Sequence, residues 1–405
     1  MDETRAHQAT TDRLARIVLL ACLYFSQGLP FGYFTIAIPV MLRAHGMSPE
    51  AIGLASVVAL PWAFKFLGAP LVDRTRAWGR RAWILPLQAG TVALLLGISA
   101  IEPTPERLFV LGVLVFISNL FAATQDIPTD ALAIDLLGVD DRGLGNGVQV
   151  GAYRFGMIVG GGGLLAAYDT IGWRGACIAM AAMLTLATLP VALYREPPAS
   201  AHEAPRYGEA LRRLIARPGM VPWFGLLALY KAGESLGGSV VKLWLKDHGW
   251  GLDDIGLLLG LGGSVFGMTG ALLGGWAVRH LGRQRALVAF GAFQALAVAL
   301  WAVPATMGDD RALVIAVTAI EHLASGMATA ALFTAMMDAC EPRTAASDYT
   351  LQACVVVTAT IAAAMASGFV LHALGFTGHF VFAGVLCALA MLYAAVRPPP
   401  TLVEG

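Results

Sequence analysis

The chain has 405 residues, of which 57% are hydrophobic and 13% are charged, whereas soluble domains average about 45–50% apolar and about 25% charged residues. This composition excludes an ordinary soluble globular protein. The 27 acidic and 27 basic side chains cancel to a net charge of zero, so no nucleic acid or other strongly charged macromolecule is indicated as a partner.

Apolar runs of the length needed to cross a bilayer, about 17–25 residues each, recur along the whole chain. They predict an all-α membrane protein with twelve transmembrane helices, and hence the lipid bilayer as a partner. The predicted spans are 15–42, 50–72, 81–101, 107–137, 143–168, 172–194, 220–246, 254–279, 284–306, 311–340, 346–374 and 376–396.

The positions of the basic residues predict the orientation of the chain in the membrane. The first apolar run is too long for a secretory signal and has no clear cleavage site, so we expect an uncleaved helix. Most of the 27 Lys and Arg residues then fall on the side of the amino terminus, which predicts that both termini are cytoplasmic.

We expect the cysteines to be packing residues, with no disulfide, metal or cofactor; they are Cys22, Cys177, Cys340, Cys354 and Cys387.

The first span carries Tyr24 and Gln27, followed by Gly-Leu-Pro-Phe-Gly at 28–32. A proline inside a helix frees a backbone carbonyl, so we expect a bend near Pro30 that exposes backbone. Tyr24 and Gln27 are therefore candidates for lining a substrate cavity.

The loop after the second span combines an acid with basic residues: Asp73, Arg74, Gly79, Arg80 and Arg81. Exposed or half-exposed charge pairs of this kind can favour one of two conformations by about 1–3 kcal/mol. Topology alone would explain the arginines. The loop also resembles the signature loop of the major facilitator superfamily, and that resemblance implies a cytoplasmic charge latch between helices. Because topology does not require Asp73, we interpret the loop as such a conformational latch.

The fourth span contains two carboxylates, Asp126 and Asp130, separated by Pro128. Residues four apart share one face of a helix. Ionisable side chains at this depth in a membrane are costly and normally mark a proton, ion or substrate path. We therefore predict that Asp126 and Asp130 carry coupling protons and that the adjacent Gln125 lines the cavity.

Arg154 in the fifth span lies as deep as Asp126, about 17 Å from the cytoplasmic edge at 1.5 Å per residue. It is the predicted ion-pair partner of the acids, while Gln149, level with Asp130, and Tyr153 are predicted to line the cavity. The alternative is a buried ion pair that only holds two helices together. Two acids facing one arginine, however, leave one carboxylate available for proton coupling.

The seventh span supplies Tyr230, Lys231 and Glu234 as further cavity candidates, although Lys231 and Glu234 are close enough to neutralise each other instead. Lys65, near the inner end of the second span, is expected to snorkel to the membrane surface; otherwise it offers a cation to an anionic substrate. The pattern Gly-Glu-Ser-Leu-Gly at 233–237 matches a hydrolase motif but lies in a membrane helix. We expect no enzymatic activity.

Parts of the sequence repeat after 203 residues, which predicts two parallel six-helix repeats. The pairs are 42–43 with 245–246, 45–46 with 248–249, 52–53 with 255–256, 79–80 with 282–283, and Asp135 with Asp338. The predicted domains are 1–194 and 220–405, joined by a cytoplasmic linker, 195–219, that contains a short amphipathic helix. Trp276 stands where the repeat would place a second Asp73, so the latch is expected in one half only.

One further pair of polar residues lies in the tenth span. Glu321 and His322 are adjacent in sequence and so about 100° apart around a helix. We therefore expect this pair to form an interhelical hydrogen bond rather than to titrate.

Residues 24–30, 64–74, 125–135 and 151–156 together resemble the AmpG/acetyl-coenzyme A transporter branch of the major facilitator superfamily. The resemblance covers most of the chain and is strongest in the first half. Within the branch, the chain is most similar to the compact RhtX/FptX-type siderophore permeases.

The resemblance implies a proton-driven importer in the bacterial inner membrane, with Asp126 and Asp130 as coupling acids and Arg154 as their partner. We rank an anionic siderophore first as the substrate, because muropeptide permeases of this branch are commonly longer. An anhydromuropeptide comes second and an acyl-coenzyme A third. We expect a monomer whose partners are a small-molecule substrate and protons; a membrane sensor on the same scaffold is the non-transport alternative.

Overall fold

The computed structural model describes residues 2–34, 60–196, 208–308 and 310–400, and the regular elements in these ranges are helices. The α-helices are α1 (Asp2–Gly32), α2 (Leu60–Phe64), α3 (Ala69–Arg74), α4 (Arg81–Ser99), α5 (Leu108–Leu136), α6 (Arg142–Met157), α7 (Leu164–Leu193), α8 (Glu209–Ala216), α9 (Met220–Asp247), α10 (Leu252–Ile255), α11 (Gly263–Leu281), α12 (Arg283–Leu300), α13 (Ala302–Met307), α14 (Arg311–Asp338) and α15 (Ala345–Val396). Two π-helical segments, Ile158–Gly163 and Gly256–Gly262, lead into α7 and α11.

Eight stretches of the described chain are helical, long and apolar enough to cross a membrane. Two of them, Val139–Leu193 and Ala345–Val396, each contain two predicted spans. The seventh predicted span coincides with α9, whose charged residues lower its hydropathy. The second span is only partly covered, since 50–59 lie outside the described residues. The helices therefore agree with the predicted spans wherever the chain is described.

The internal repeat is visible in the backbone. Gly172 and Gly375, 203 residues apart, have φ of 63° and 65° and separate the paired spans of the two longest stretches. Gly79 and Gly282, also 203 residues apart, have φ of 81° and 80° just before α4 and α12. Only glycine adopts such angles readily. The two repeats predicted from sequence are thus confirmed.

The chain packs as two units. The first comprises Met1–Leu136, Ala152–Tyr207 and Pro342–Thr350. Its apolar core includes Leu29, Tyr33, Leu95, Ile98, Trp173, Met180 and Leu184.

In the first unit, α1 continues through Pro30 to Gly32, and its backbone there is buried. The prediction that this backbone is exposed is therefore wrong. The reason is close helix packing: a Cβ at Gly28 would collide with the carbonyl oxygen of Tyr153, and one at Gly160 with that of Leu29. Small residues on both sides let the backbones approach each other.

The second unit comprises Leu137–Gly151, Gly208–Glu341 and Leu351–Gly405. Its core contains several aromatic rings, and those of Trp244 and Trp301 meet edge to face with centroids 5.9 Å apart. The predicted linker helix forms as α8, with Leu214 buried. These two units are defined by spatial contacts, and each combines segments that are distant in sequence. The domain boundaries predicted along the chain therefore stay a prediction.

Candidate functional site

The two acids of α5, Asp126 and Asp130, are buried, with exposures of 8% and 3%. The helix is continuous across Pro128, so the acids lie one turn apart on one face, as the spacing predicts. Tyr24 of α1 donates its hydroxyl hydrogen to Asp130 Oδ1 at 2.8 Å. The structure thus brings one predicted cavity residue directly onto a predicted coupling acid.

Asp126 has a cationic partner that the sequence did not suggest. Lys65 forms an ion pair with Asp126, and its side chain is only 6% exposed. The prediction that Lys65 snorkels is therefore wrong, because a buried carboxylate lies within reach of its ammonium group. The Lys65 Nζ is also 5.8 Å from the centroid of the Trp62 ring, close enough for a cation–π contact. Arg154 as a partner of the acids stays a prediction.

The two acids consequently differ in their surroundings. An ammonium group balances Asp126, whereas Asp130 accepts a hydrogen bond from a neutral hydroxyl. Within the described part of the chain, Asp130 forms no salt bridge. Asp130 can therefore accept a proton without breaking an ion pair.

Of the other predicted cavity residues of the first unit, Gln27 and Gln125 are buried and Tyr153 is half-buried. Gln27 and Gln125 are 1% and 3% exposed. Among the residues that the structure describes, Gln27 Nε2 is a buried donor without a hydrogen-bond partner. Tyr153 packs its ring against Phe31 with centroids 5.8 Å apart. Arg154 is half-buried on α6.

In the second unit, Gln149 on α6 is 6% exposed, and Tyr230 on α9 is 2% exposed. The Tyr230 hydroxyl donates to the backbone carbonyl of Leu287 at 2.8 Å, so it anchors α9 to α12. Ser235, in the hydrolase-like pattern, lies inside α9 and donates to the carbonyl of Thr360 at 2.8 Å. That pattern is helical, as predicted.

Lys231 and Glu234 form an ion pair, the alternative that their spacing left open. Glu234 also accepts hydrogen bonds from Gln294 Nε2 at 2.6 Å and from Ser325 Oγ at 2.5 Å. Lys231 Nζ donates to Thr329 Oγ1 at 3.1 Å. This network links α9, α12 and α14.

Sequence reasoning missed Gln294, Ser325 and Thr329. Thr329 could have been found, because it stands 203 residues after Asp126. Gln294 and Ser325 are isolated polar residues in apolar helices and carry no such signal. Glu321 and His322 contact each other at 2.7 Å, and the interhelical hydrogen bond expected of this pair stays a prediction. The histidine ring turns back along its own helix, where Nδ1 lies 3.1 Å from the Thr318 carbonyl oxygen.

The predicted latch residues Asp73 and Arg80 are buried, at 2% and 1% exposure, and not exposed or half-exposed as expected. Their closest charged atoms are 3.6 Å apart. Asp73 also accepts backbone hydrogen bonds from Ala346 at 3.1 Å and Ser347 at 2.8 Å, in the first turn of α15. An acid is favoured at a helix amino terminus. Burial raises the pKa of Asp73, while Arg80 and these donors oppose that rise.

A second acid, Glu196, binds the remaining part of the predicted latch loop. The backbone N–H groups of Arg80 and Arg81 donate to the Glu196 carboxylate at 2.8 Å and 3.1 Å. Gly79 provides the left-handed turn before them, and Arg74 is exposed.

The arginine–acid contact of this loop recurs in the other repeat. Arg80 Nε lies 3.4 Å from Asp135 Oδ2, and Arg283 Nε lies 2.6 Å from Asp338 Oδ2. Trp276, the counterpart of Asp73, is 59% exposed. Each repeat therefore contains this ion pair, and the additional acid belongs to the first repeat alone.

Several known proteins are similar to this chain over most of its length. An uncharacterized protein of Haemophilus influenzae is 29% identical over 92% of this chain and 93% of its own length. The anhydromuropeptide permease of Escherichia coli strain K12 is 28% identical over 91% of this chain and 76% of the permease. A putative AmpG transporter of Rickettsia felis is 23% identical over 94% of this chain and 95% of its own length.

Solved structures share the fold. The Escherichia coli fucose:proton symporter superposes with a TM-score of 0.73 at 14% identity, covering 95% of this chain and 98% of the symporter. A human organic anion transporter superposes with a TM-score of 0.67 at 16% identity, covering 95% and 99% of the two chains. The family model of the Major Facilitator Superfamily matches residues 20–354. Fold, repeats and relatives thus agree: the chain belongs to the Major Facilitator Superfamily and is a multi-pass membrane transporter of a small molecule, similar to the AmpG branch.

Proposed function

We propose that the protein imports an organic anion together with protons across the bacterial inner membrane. The observation that carries this proposal is the acid pair of α5. Asp126 is balanced by Lys65, and Asp130 is hydrogen-bonded to the neutral hydroxyl of Tyr24. One of the two buried carboxylates can therefore gain and lose a proton during transport while the other keeps its ion pair.

The solute class follows from charge and from the relatives. Each unit contains a mostly buried lysine, Lys65 in the first and Lys231 in the second. Buried cations in membrane helices suit an anionic solute. Because relatives are named anhydromuropeptide permease or AmpG, we place an anhydromuropeptide first. The siderophore, ranked first from the resemblance and the chain length, becomes the second candidate.

Uptake into proteoliposomes tests this function. With an acidic exterior and an alkaline interior, the purified protein should concentrate labelled anhydromuropeptide, and a protonophore should stop the accumulation. Accumulation of a ferric carboxylate siderophore instead would change the substrate and keep the mechanism. Binding of either solute without uptake would favour the membrane-sensor alternative.

The latch gives a second expected result. Asp73→Asn should slow transport several-fold while solute binding to the purified protein stays within a few-fold of the unaltered protein. The amide loses the charge that faces Arg80 and brings N–H donors towards those of Ala346 and Ser347. Arg74→Gln, at an exposed position in the same loop, is the control. If binding falls as far as transport, Asp73 acts in folding or in the binding site rather than as a latch.

Topology provides a third test. Reporters fused after Arg217 and after Arg397 should both report cytoplasm, because the basic residues are concentrated on that side. A periplasmic signal at either position would contradict the proposed orientation. We also propose a monomer, which the mass of the purified protein in detergent tests.

A further inference from the structure

We propose that Lys231 and Glu234 form a second, proton-controlled anion site, in which protonation of Glu234 frees the Lys231 ammonium for a carboxylate of the transported solute. The inference rests on the proposed import of an organic anion and adds a second titrating acid, separate from the pair on α5. The Lys231–Glu234 pair lies entirely within the second unit.

Three donors converge on the Glu234 carboxylate. The Lys231 ammonium comes from the same helix, α9. The Gln294 amide on α12 donates to Oε2 at 2.6 Å, and the Ser325 hydroxyl on α14 donates to Oε1 at 2.5 Å. An ammonium, an amide and a hydroxyl form a donor set that suits any carboxylate. The protein's own glutamate therefore occupies a receptor that a solute carboxylate would fit chemically.

The internal repeat shows why the charge partner of Lys231 is on its own helix. In the first unit, Lys65 pairs with Asp126. At the equivalent position of the second unit stands Thr329, whose hydroxyl accepts from Lys231 at 3.1 Å. A hydroxyl cannot balance an ammonium group, so Glu234 does so. Protonation of Glu234 removes that balance and leaves Lys231 with neutral partners, ready for an anion.

Within the described ranges, few other titratable groups face the Lys231–Glu234 pair. Tyr230 on α9 is buried and gives its hydroxyl hydrogen to a backbone carbonyl. The Cys387 thiol on α15 is within electrostatic range of the pair and also of Glu321 on α14. Glu321 has its own partner, His322, at 2.7 Å. Glu321 is therefore the acid that an experiment must distinguish from Glu234.

Burial couples the protonation of Glu234 to the binding of an anion at Lys231. The side chains of Lys231 and Glu234 are 14% and 18% exposed, so both are mostly buried yet still accessible. An unpaired charge is costly in such surroundings. A proton on Glu234 and an anion on Lys231 therefore stabilise each other, and the effect is reciprocal. The proton moves from water to a Glu234 oxygen and returns when the anion leaves; no covalent bond to the solute forms.

The first measurement needs no solute. Infrared difference spectra of the purified, lipid-reconstituted full chain between acidic and alkaline pH should contain a carbonyl band of protonated glutamic acid. Glu234→Gln should remove this band, whereas Glu321→Gln should retain it. A spectrum in which Glu234→Gln leaves the band unchanged overturns the proposal, whatever the solute proves to be.

The second measurement is calorimetric binding of anhydromuropeptide, and of a ferric carboxylate siderophore, at acidic and alkaline pH. The unaltered protein should bind its solute more tightly at acidic pH. Glu234→Gln, which mimics the protonated state, should bind tightly at both. Lys231→Gln should weaken binding about tenfold or more, whereas Lys242→Gln, exposed on the same helix, should not.

The outcomes separate this inference from the proposed function. If neither solute binds the unaltered protein, the proposed substrates are wrong, and the infrared result alone decides whether Glu234 takes up a proton. If a solute binds and Glu234→Gln keeps the full pH dependence, the Lys231–Glu234 pair is a structural salt bridge and the inference is wrong.

Discussion

Asp130→Asn is expected to abolish accumulation of the solute driven by a pH gradient while leaving counterflow exchange in place. Concentrative uptake requires a group that carries a proton through the cycle, whereas exchange requires only binding and the conformational change. Asp130 is the acid hydrogen-bonded to a neutral hydroxyl, and asparagine can still accept that bond from Tyr24. Proteoliposomes with and without the gradient measure both activities in one preparation.

Two comparisons give this experiment its controls. Asp140→Asn removes an exposed acid just beyond the same helix and should leave accumulation unchanged. Asp126→Asn should also stop accumulation but should lower stability as well, since Lys65 loses its partner. Full accumulation in Asp126→Asn/Asp130→Asn would remove both acids from coupling, and Glu234 and Glu321 would become the next carboxylates to test.

Lys65→Met is expected to be strongly destabilising, by about 3–5 kcal/mol, because it leaves the buried Asp126 carboxylate without its ammonium partner. Replacing both residues, in Lys65→Met/Asp126→Leu, should recover most of that loss, since a buried ion pair can be exchanged for apolar side chains of similar volume. Thermal unfolding of the purified protein measures the effect. Lys242→Met, at an exposed position, is the matched control.

The same series tests the predicted role of Arg154. If Arg154 is the principal partner of the acids, Arg154→Met should cause the larger loss of stability and Lys65→Met a small one. If Lys65 is the principal partner, Asp126→Leu combined with Lys65→Met should show a coupling energy in the free energy of unfolding. Asp126→Leu combined with Arg154→Met should then show none. Equal stability of Lys65→Met and the unaltered protein would contradict the importance of the Lys65–Asp126 contact.

The helices, their repeat and the positions of the acids could be predicted from the sequence because each depends on local information. A run of about twenty apolar residues indicates a membrane span by its length alone. The limits predicted between the paired spans, after 168 and after 374, fall beside Gly172 and Gly375, whose backbone angles in the structure require glycine. Asp126 and Asp130 had to share a helix face because the period of the helix is constant.

The partners of these residues were decided only by the tertiary structure. Lys65 reaches Asp126 across 61 residues of sequence, and Asp73 reaches Ser347 across 274. Such contacts depend on how each helix is rotated about its axis and on how closely glycines let two backbones approach, as Gly28 does for α1. Neither quantity is encoded in the spacing of residues along one helix. The sequence by itself determined which helices carry the charges, and the packing of those helices decided which charges meet.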